Sequence, residues 1–216
     1  MGFLSGKRAL ITGLASKRSI AWGIASAMHR EGAELAFTYQ NDRLKERVTK
    51  FAAELDSEIC MPLDVSSDEE IKAIFTTLKE HWDGLDIVVH AIGFAPKELL
   101  GGRYVDSVTR EGYQIAHDIS AYSFAALARE SLDMLRPGAS LLTMSYLGAE
   151  RSIPNYNVMG PAKAALESSV RFMALDLGPR NIGIISPDRT DIRIAAGCGV
   201  TIQCVCLSTI NKNCRT

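Results

Sequence analysis

A tyrosine and a lysine seven positions apart form the pair in this sequence best suited to catalysis. Tyr156 and Lys163 stand on a segment, 155–177, whose apolar pattern predicts a long helix. Seven positions are two helical turns, which predicts both side chains on one face, about 10 Å apart along the axis. A phenol with an ordinary pKa of about 10 suits hydrogen bonding to a developing enolate oxygen, and a nearby lysine charge would lower that pKa. The alternative is an aromatic residue and a solvated lysine on a surface helix.

A glycine-containing turn follows the first apolar run of the chain and suits a dinucleotide phosphate. Gly13 allows close backbone approach, Ser19 can cap the next helix and hydrogen-bond a phosphate, and Gly23 allows close helix–strand contact. The stretch 13–23 is not the G-x-G-x-x-G fingerprint. A strand-to-helix turn that binds nothing is therefore the alternative.

Two further positions that follow apolar runs suit the adenosine half of a dinucleotide. Gln40 stands where such sites usually place an acid for the ribose, and Asp42 close by disfavours a 2′-phosphate. NADH is therefore favoured, although Arg43 keeps NADPH open. Asp64 can accept from the exocyclic amine of adenine while Val65 packs on the ring. The alternative for Gln40 is a solvated loop residue that binds nothing, and the alternative for Asp64 is a residue near the N-cap of the next helix.

The periodicity of the apolar residues predicts the elements that position these groups. Short apolar runs alternate with helical stripes, which is typical of βαβ units with parallel pairing. The predicted fold class is therefore α/β, a single doubly wound, Rossmann-like parallel sheet, which binds ligands at the carboxyl ends of its strands. We predict strands at 7–12, 34–39, 58–63, 85–92, 140–144 and 181–186, helices at 20–30, 42–55, 67–81, 109–135 and 155–177, and a loop at 94–108.

Composition and charge argue against several classes of function. The chain has 216 residues, of which 47% are hydrophobic, enough for a core without disulfides. A net charge of −1 leaves no electrostatic footprint for nucleic acid. No apolar run approaches the roughly 18 residues of a membrane span, and we recognise no signal peptide. The cysteines lack the paired spacing of a zinc site, so we expect no metal, reduced thiols and a cytoplasmic location.

Several motifs resemble the short-chain dehydrogenase/reductase superfamily, and within it the bacterial enoyl-acyl-carrier-protein reductases. Ordinary superfamily members carry Tyr-x3-Lys, which would require a tyrosine in place of Met159. The Tyr-x6-Lys spacing of Tyr156 and Lys163 is instead typical of the enoyl reductases. The resemblance covers about five-sixths of the chain. Its matching stretches include GLASKRSIAWG at 13–23, HAIGFAP at 90–96 and SYLGAERSIPNYNVMGPAKAALE at 145–167.

This resemblance implies an activity and a role for each matching residue. The activity is reduction of the trans-2 double bond of an enoyl thioester on acyl carrier protein, by a hydride that NADH delivers to the β-carbon. Tyr156 would hydrogen-bond the thioester carbonyl, Lys163 would hold the nicotinamide ribose, Tyr146 would be the second tyrosine of the site, and Ala95 would contact the acyl chain. The family also implies a homotetramer built on the two long helices, and sensitivity to triclosan. The residues implied to line the dinucleotide are Gly13, Ser19, Ile20, Gln40, Asp64, Val65, Ile92, Gly93 and Lys163.

The sequence departs from the family pattern in two places. Ser186 is followed directly by Pro187, as if two residues beneath the nicotinamide were absent, and the chain beyond is cysteine-rich and unlike the family. We therefore expect a reductase domain at 1–190 and an atypical tail at 191–216. Pro161, inside the predicted helix, would kink it at a cost of about 3 kcal/mol.

Two alternatives to a working enoyl reductase follow from these departures. One is a dinucleotide-binding protein that is inactive as a reductase because of its aberrant C-terminus. The other is a short-chain reductase with another carbonyl substrate, against which the missing Tyr-x3-Lys counts.

Overall fold

A six-stranded sheet with helices between its strands forms the framework of the chain. The computed structural model describes residues 2–186. The strand order is β3-β2-β1-β4-β5-β6; β1 pairs in parallel with β2 and β4, β2 with β3, and β5 with β6. This confirms the predicted doubly wound α/β class. The strands are β1 (Arg8–Thr12), β2 (Glu34–Tyr39), β3 (Cys60–Pro62), β4 (Leu85–His90), β5 (Leu135–Thr143) and β6 (Gly183–Ile185).

The described residues form two compact units, of which the first comprises 2–93 and 123–136. It holds β1 to β4 with the helices α1 (Ile20–Arg30), α2 (Asp42–Ala53), α3 (Asp68–His81) and α6 (Ser123–Ser131). The strands β1 and β4 are almost wholly buried, which explains why they are apolar nearly throughout rather than alternating.

Polar side chains fix the starts of the first three helices where the sequence predicts them. Ser19, Asn41 and Ser67 each accept a hydrogen bond from a first-turn N–H of the helix that follows. The start of α3 forms only part of a capping box. Glu70 donates its N–H to Ser67, but its carboxylate accepts from the N–H of Asp64 at 2.6 Å.

The second unit comprises 94–122 and 137–186, and it corrects two predictions. The segment expected as a loop contains a helical turn at Lys97–Leu99 and the short helix α4 (Tyr104–Ser107). The single helix expected at 109–135 is wrong. A π-helical turn at Asp118–Tyr122 separates α5 (Arg110–His117) from α6, because one additional residue per turn shifts the hydrogen bonding there.

The end of the expected helix at 109–135 is also wrong, because β5 already begins at Leu135. Pro137 and Gly138 lie inside this strand. Gly138 has a φ of +87° and donates its N–H to the carbonyl of Asn181 at 2.8 Å. The positive φ of Gly138 and its hydrogen bond to Asn181, which lies outside β5, explain how the strand accommodates a Pro-Gly pair.

The last long helix starts later than expected. It is α7 (Met159–Leu177), and a turn at 154–158 precedes it. Asn155 and Asn157 have φ values of +61° and +25°, which a right-handed helix excludes. The predicted kink at Pro161 is therefore wrong. Pro161 lies in the first turn of α7, where a missing N–H costs nothing, and the carbonyl of Asn157 accepts from Gly160 at 3.0 Å.

No helix within residues 2–186 is long and apolar enough to cross a membrane. The expected tail at 191–216, the altered segment after Ser186 and the four cysteines from Cys198 onward lie outside the described residues. The predictions made for them therefore stay predictions.

Candidate active site

The turn after β1 is built around a glycine that no other residue could replace without strain. Gly13 has a φ of +81°, and a Cβ there would lie 2.1 Å from the carbonyl oxygen of Ala91. The same Cβ would lie 3.2 Å from the side chain of Ile92, so two of the expected dinucleotide residues come together after β1 and β4. Ser19 caps α1 by accepting from Trp22 at 3.3 Å and donating to the carbonyl of Ser16 at 2.6 Å. This turn therefore presents a helix N-terminus, which suits an anion.

Gln40 and Asp64 also come together in the first unit. The amide of Gln40 donates to the Asp64 carboxylate at 3.4 Å, and Ser66 donates both its N–H and its hydroxyl to the same carboxylate. Partial burial acts to raise the pKa of Asp64, but these hydrogen bonds outweigh it and hold the pKa below its ordinary value. Asp64 is therefore a charged acceptor at neutral pH, as an exocyclic amine requires. Val65 beside it is buried.

In the second unit, Lys163 is almost enclosed, with only 6% of its surface exposed. Its ammonium donates to the carbonyl oxygen of Met144 at 2.8 Å, at the end of β5. Burial lowers the pKa of Lys163 to about 8, although the negative charge of Glu167 one turn along α7 opposes this shift. Glu167 in turn accepts a hydrogen bond from the hydroxyl of Ser145. Lys163 and Glu167, on consecutive turns of α7, therefore hydrogen-bond to the two residues that precede Tyr146.

Tyr156 and Tyr146 face each other in this unit. Their ring centroids are 4.9 Å apart, with an angle of 58° between the planes. Burial raises the pKa of Tyr156 to about 12, with a smaller contribution from Tyr146. The expectation that Lys163 would lower this pKa is wrong, because the loss of hydration outweighs any such effect. Tyr156 therefore stays a protonated hydrogen-bond donor throughout the neutral range.

Tyr156 and Lys163 do not share one helix, so the predicted common helix face is wrong. Tyr156 lies in the turn before α7, and its ring rests on Gly148, where a Cβ would lie 2.3 Å from the ring. Gly148 was not identified from the sequence, although its place in the Tyr146–Tyr156 stretch was a usable signal. A cavity of about 420 Å³ opens beside Tyr156 and is also lined by Tyr104, Arg151 and Pro161.

Ala95 lies in the second unit, beside a small hydrophobic cluster. It packs against the buried residues Leu99, Ala116, Val158 and Ala162. The cluster anchors Ala95 immediately before Pro96, and a contact between Ala95 and an acyl chain stays a prediction.

The residues that the structure describes fit a dinucleotide rather than a metal. Within residues 2–186, no group of three or more His, Cys, Asp or Glu side chains is arranged to hold a metal ion. In the first unit, the helix N-terminus at Ser19 and the carboxylate of Asp64 match a diphosphate and an amine. In the second unit, taken by itself, the ammonium of Lys163 matches ribose hydroxyls.

Comparison with known proteins gives one consistent family. A family model described as Enoyl-(Acyl carrier protein) reductase matches residues 13–202, beyond the last motif recognised in the sequence. The chain is 60% identical over 200 residues to the enoyl-[acyl-carrier-protein] reductase [NADH] FabI of Salmonella typhimurium, which covers 93% of this chain and 76% of that protein. The FabI of Haemophilus influenzae is 56% identical over 212 residues, or 98% of this chain and 81% of that protein.

Solved structures agree with these sequence matches. The crystal structure of the enoyl-[acyl-carrier-protein] reductase (NADH) from Aquifex aeolicus VF5 has a TM-score of 0.84 and 50% identity, covering 86% of this chain and 82% of that chain. The reductase from Anaplasma phagocytophilum, solved in complex with NAD, has a TM-score of 0.83 and 43% identity, covering 86% and 72% of the two chains.

Proposed function

The chain belongs to the NADH-dependent enoyl-[acyl-carrier-protein] reductases, and we propose how its own residues carry out the reaction of that family. The reaction is the reduction of the trans-2 double bond of an enoyl thioester on acyl carrier protein, a step of fatty-acid elongation. Bound NADH supplies a hydride to the β-carbon of the substrate. The residues of the chain bind and orient the two reactants and stabilise the charge that develops on the thioester oxygen.

Tyr156 stabilises that charge by donating a hydrogen bond to the thioester carbonyl oxygen. The observation that carries this proposal is the environment of the ring, which rests on Gly148 and faces Tyr146 at 4.9 Å. A pKa of about 12 keeps the phenol protonated, so it donates without losing its proton to the solvent. A fixed donor aimed at a developing oxyanion is worth more in a partly buried site than in water. Tyr146, which is half exposed, is the second tyrosine of the site.

Lys163 holds the hydroxyls of the nicotinamide ribose. Its ammonium is buried and already oriented by the carbonyl of Met144. Because the side chain is fixed before the cofactor binds, little rotamer entropy is lost when the ribose is engaged.

The first unit binds the rest of the dinucleotide. Two observations support this proposal. The carboxylate of Asp64 is charged and hydrogen-bonded, and the backbone of Ala91 lies close to Gly13, where only a glycine fits. The adenine would donate its amine to Asp64, and the phosphates would face the N-terminus of α1. The residues assigned to this role are Gly13, Ser19, Ile20, Gln40, Asp64, Val65, Ile92 and Gly93.

One experiment tests the whole assignment. The purified chain is mixed with NADH and crotonyl-CoA while the loss of NADH absorbance is followed, and NADH binding is titrated in parallel. Turnover of crotonyl-CoA is the expected result. Binding without turnover would instead support an inactive dinucleotide-binding protein, and consumption of NADH only with a 3-oxoacyl thioester would support a different carbonyl reductase.

We also propose a homotetramer in the cytoplasm, with α7 contributing to an interface. Phe172 and Leu175 of α7 are 69% and 70% exposed in the single chain, which is unusual for large apolar side chains close together on one helix. Light scattering should give the mass of four chains, and Phe172→Glu with Leu175→Glu should reduce it. Val105→Glu, at an equally exposed apolar residue of α4, is the control and should leave the mass unchanged.

A further inference from the structure

One buried hydroxyl in the second unit holds both backbone groups of a single residue. Ser120 is fully buried, and its Oγ accepts from the N–H of Phe94 at 2.9 Å while its O–H donates to the carbonyl of Phe94 at 3.0 Å. A hydroxyl has one donor and two acceptor positions, so this arrangement satisfies Phe94 as a neighbouring strand would. Phe94 follows β4 at a point where the chain has left the sheet, and it pairs with no strand among residues 2–186.

The same hydroxyl reaches the start of α7. The sulfur of Met159 lies 3.8 Å from Ser120 Oγ, and Met159 donates its N–H to the carbonyl of Tyr156 at 2.9 Å. Ser120 therefore lies at a junction of three segments. One leads into Ala95, one is the π-helical turn that carries Ser120, and one leads back to Tyr156.

The side chain of Phe94 cannot supply this anchoring itself. Phe94 is 51% exposed, so its ring does little to fix the residue. The next residue, Ala95, has only a methyl group against its cluster. The two hydrogen bonds from Ser120 therefore fix the backbone of Phe94, in addition to the packing of the Ala95 methyl group against its cluster.

We propose that Ser120 is a positioning residue for the acyl substrate, which sets the segment Phe94–Ala95 at the distance from Tyr156 that the thioester requires. Ser120 touches neither reactant in this account. The π-helical turn is the structural device that brings it there, because Ser120 and Ala121 are the buried members of that turn. The proposal rests on the proposed contact between Ala95 and the acyl chain.

The test compares two serines of equal burial. Ser131 on α6 is also fully buried, but its hydroxyl donates only to the carbonyl of Ala128 in the same helix, at 2.8 Å. Ser120→Ala and Ser131→Ala therefore remove the same atom from equally buried sites. For Ser120→Ala we expect the KM for crotonyl-CoA to rise about tenfold, with kcat within about threefold and the Kd of NADH within about twofold. For Ser131→Ala we expect all three constants to stay within about twofold.

Further variants make the result decisive. Ser120→Cys keeps a weak donor of similar size and should give an intermediate KM; if Ser120→Ala does not fold, Ser120→Cys replaces it in the comparison. An enoyl KM unchanged in the Ser120 variant, or raised equally in Ser131→Ala, overturns the proposal.

Ala95→Val separates this failure from failure of the proposed function. If Ala95→Val raises the enoyl KM and the Ser120 variant does not, the positioning role is wrong while the substrate contact stands. If neither does, the assignment of Ala95 itself is wrong.

Discussion

The strand ends of the first unit and the tyrosine–lysine region of the second are organised by different kinds of interaction. In the first unit, Gln40, Asp64 and Ser66 bind one another through side chains within a few residues of their strand ends. In the second, Lys163 and Glu167 fix the end of β5 from a distant helix, and Tyr156 depends on a strained turn and on Gly148. Hydrogen bonds among loop side chains therefore prepare the nucleotide side, whereas the residues of α7 and the packing of an aromatic ring prepare the reacting side.

This difference predicts which substitutions affect binding and which affect chemistry. Changes at the strand ends of the first unit should weaken NADH binding and leave turnover at saturating NADH intact. Changes around Tyr156 should reduce turnover while NADH still binds. Lys163 should affect both, because the ribose it holds belongs to the reacting half of the cofactor.

The largest effect is expected from Tyr156→Phe. Removal of a donor that faces a developing oxyanion should reduce kcat by about 10²- to 10³-fold, while the Kd of NADH stays within about twofold. Steady-state kinetics with crotonyl-CoA and an NADH titration measure the two effects. Tyr113→Phe, on α5, is the control and should change neither. A comparable loss of NADH affinity in Tyr156→Phe would contradict the division between the two regions.

Lys163 should produce a pH-dependent loss of NADH affinity. Its pKa is lowered to about 8, so the ammonium is present below that pH and is lost as the pH rises through it. We expect NADH affinity to fall above about pH 8 in the wild-type chain, and Lys163→Met to weaken binding by about 10²-fold and to abolish this pH dependence. Tyr156→Phe should keep the same midpoint, because the pKa of Tyr156 is about 12. Lys72→Met on α3 is the control, and an unchanged pH dependence in Lys163→Met would exclude Lys163 as the titrating group.

A smaller effect is expected at Asp64. Asp64→Asn replaces a charged acceptor with a neutral amide, so the Kd of NADH should rise about tenfold while kcat at saturating NADH stays within about twofold. Calorimetric titration measures the first quantity and initial rates measure the second. Glu80→Gln removes an exposed carboxylate of α3 and should leave both unchanged. A fall in kcat equal to the loss in affinity would place Asp64 nearer the reacting groups than proposed.

The smallest effect is expected at Pro161. Because it lies in the first turn of α7, Pro161→Leu should change the free energy of unfolding by less than about 0.5 kcal/mol. Ala165→Pro, which places proline farther inside the same helix, should cost about 3 kcal/mol or more. Urea denaturation measures both. A gain of about 3 kcal/mol in Pro161→Leu would show that the proline strains the helix after all.

The same difference explains which features the sequence could predict. The capping serines depend on neighbours in the chain, and the apolar runs mark the strands and therefore the polar residues that follow β2 and β3. The sequence pattern predicts these features for that reason. The turn at Asn155 and Asn157 depends on positive φ values that apolar periodicity does not encode, so α7 was placed too early. The π-helical turn preserves a helix-like apolar pattern, so the break at Asp118 and the role of Ser120 were not visible.

The site assignment shows the same limit. The family motif predicts Tyr156 and Lys163 as a pair by their spacing, but the additional reason, one shared helix face, is wrong because Tyr156 lies before α7. The pKa of Tyr156 was predicted in the wrong direction because spacing carries no information about burial. Gly148 and Glu167 make contacts across the sequence, which only the folded chain shows.

Isotope labelling shows which carbon of the substrate receives the hydride of NADH. The chain is supplied with crotonyl-CoA and NADH that carries deuterium at the position transferred to the substrate, and the butyryl product is examined by NMR. We expect one deuterium on the β-carbon and a hydrogen from solvent on the α-carbon. Deuterium on the α-carbon, or a β-carbon that carries hydrogen from solvent instead, would contradict hydride addition to an enoyl thioester whose carbonyl oxygen Tyr156 stabilises.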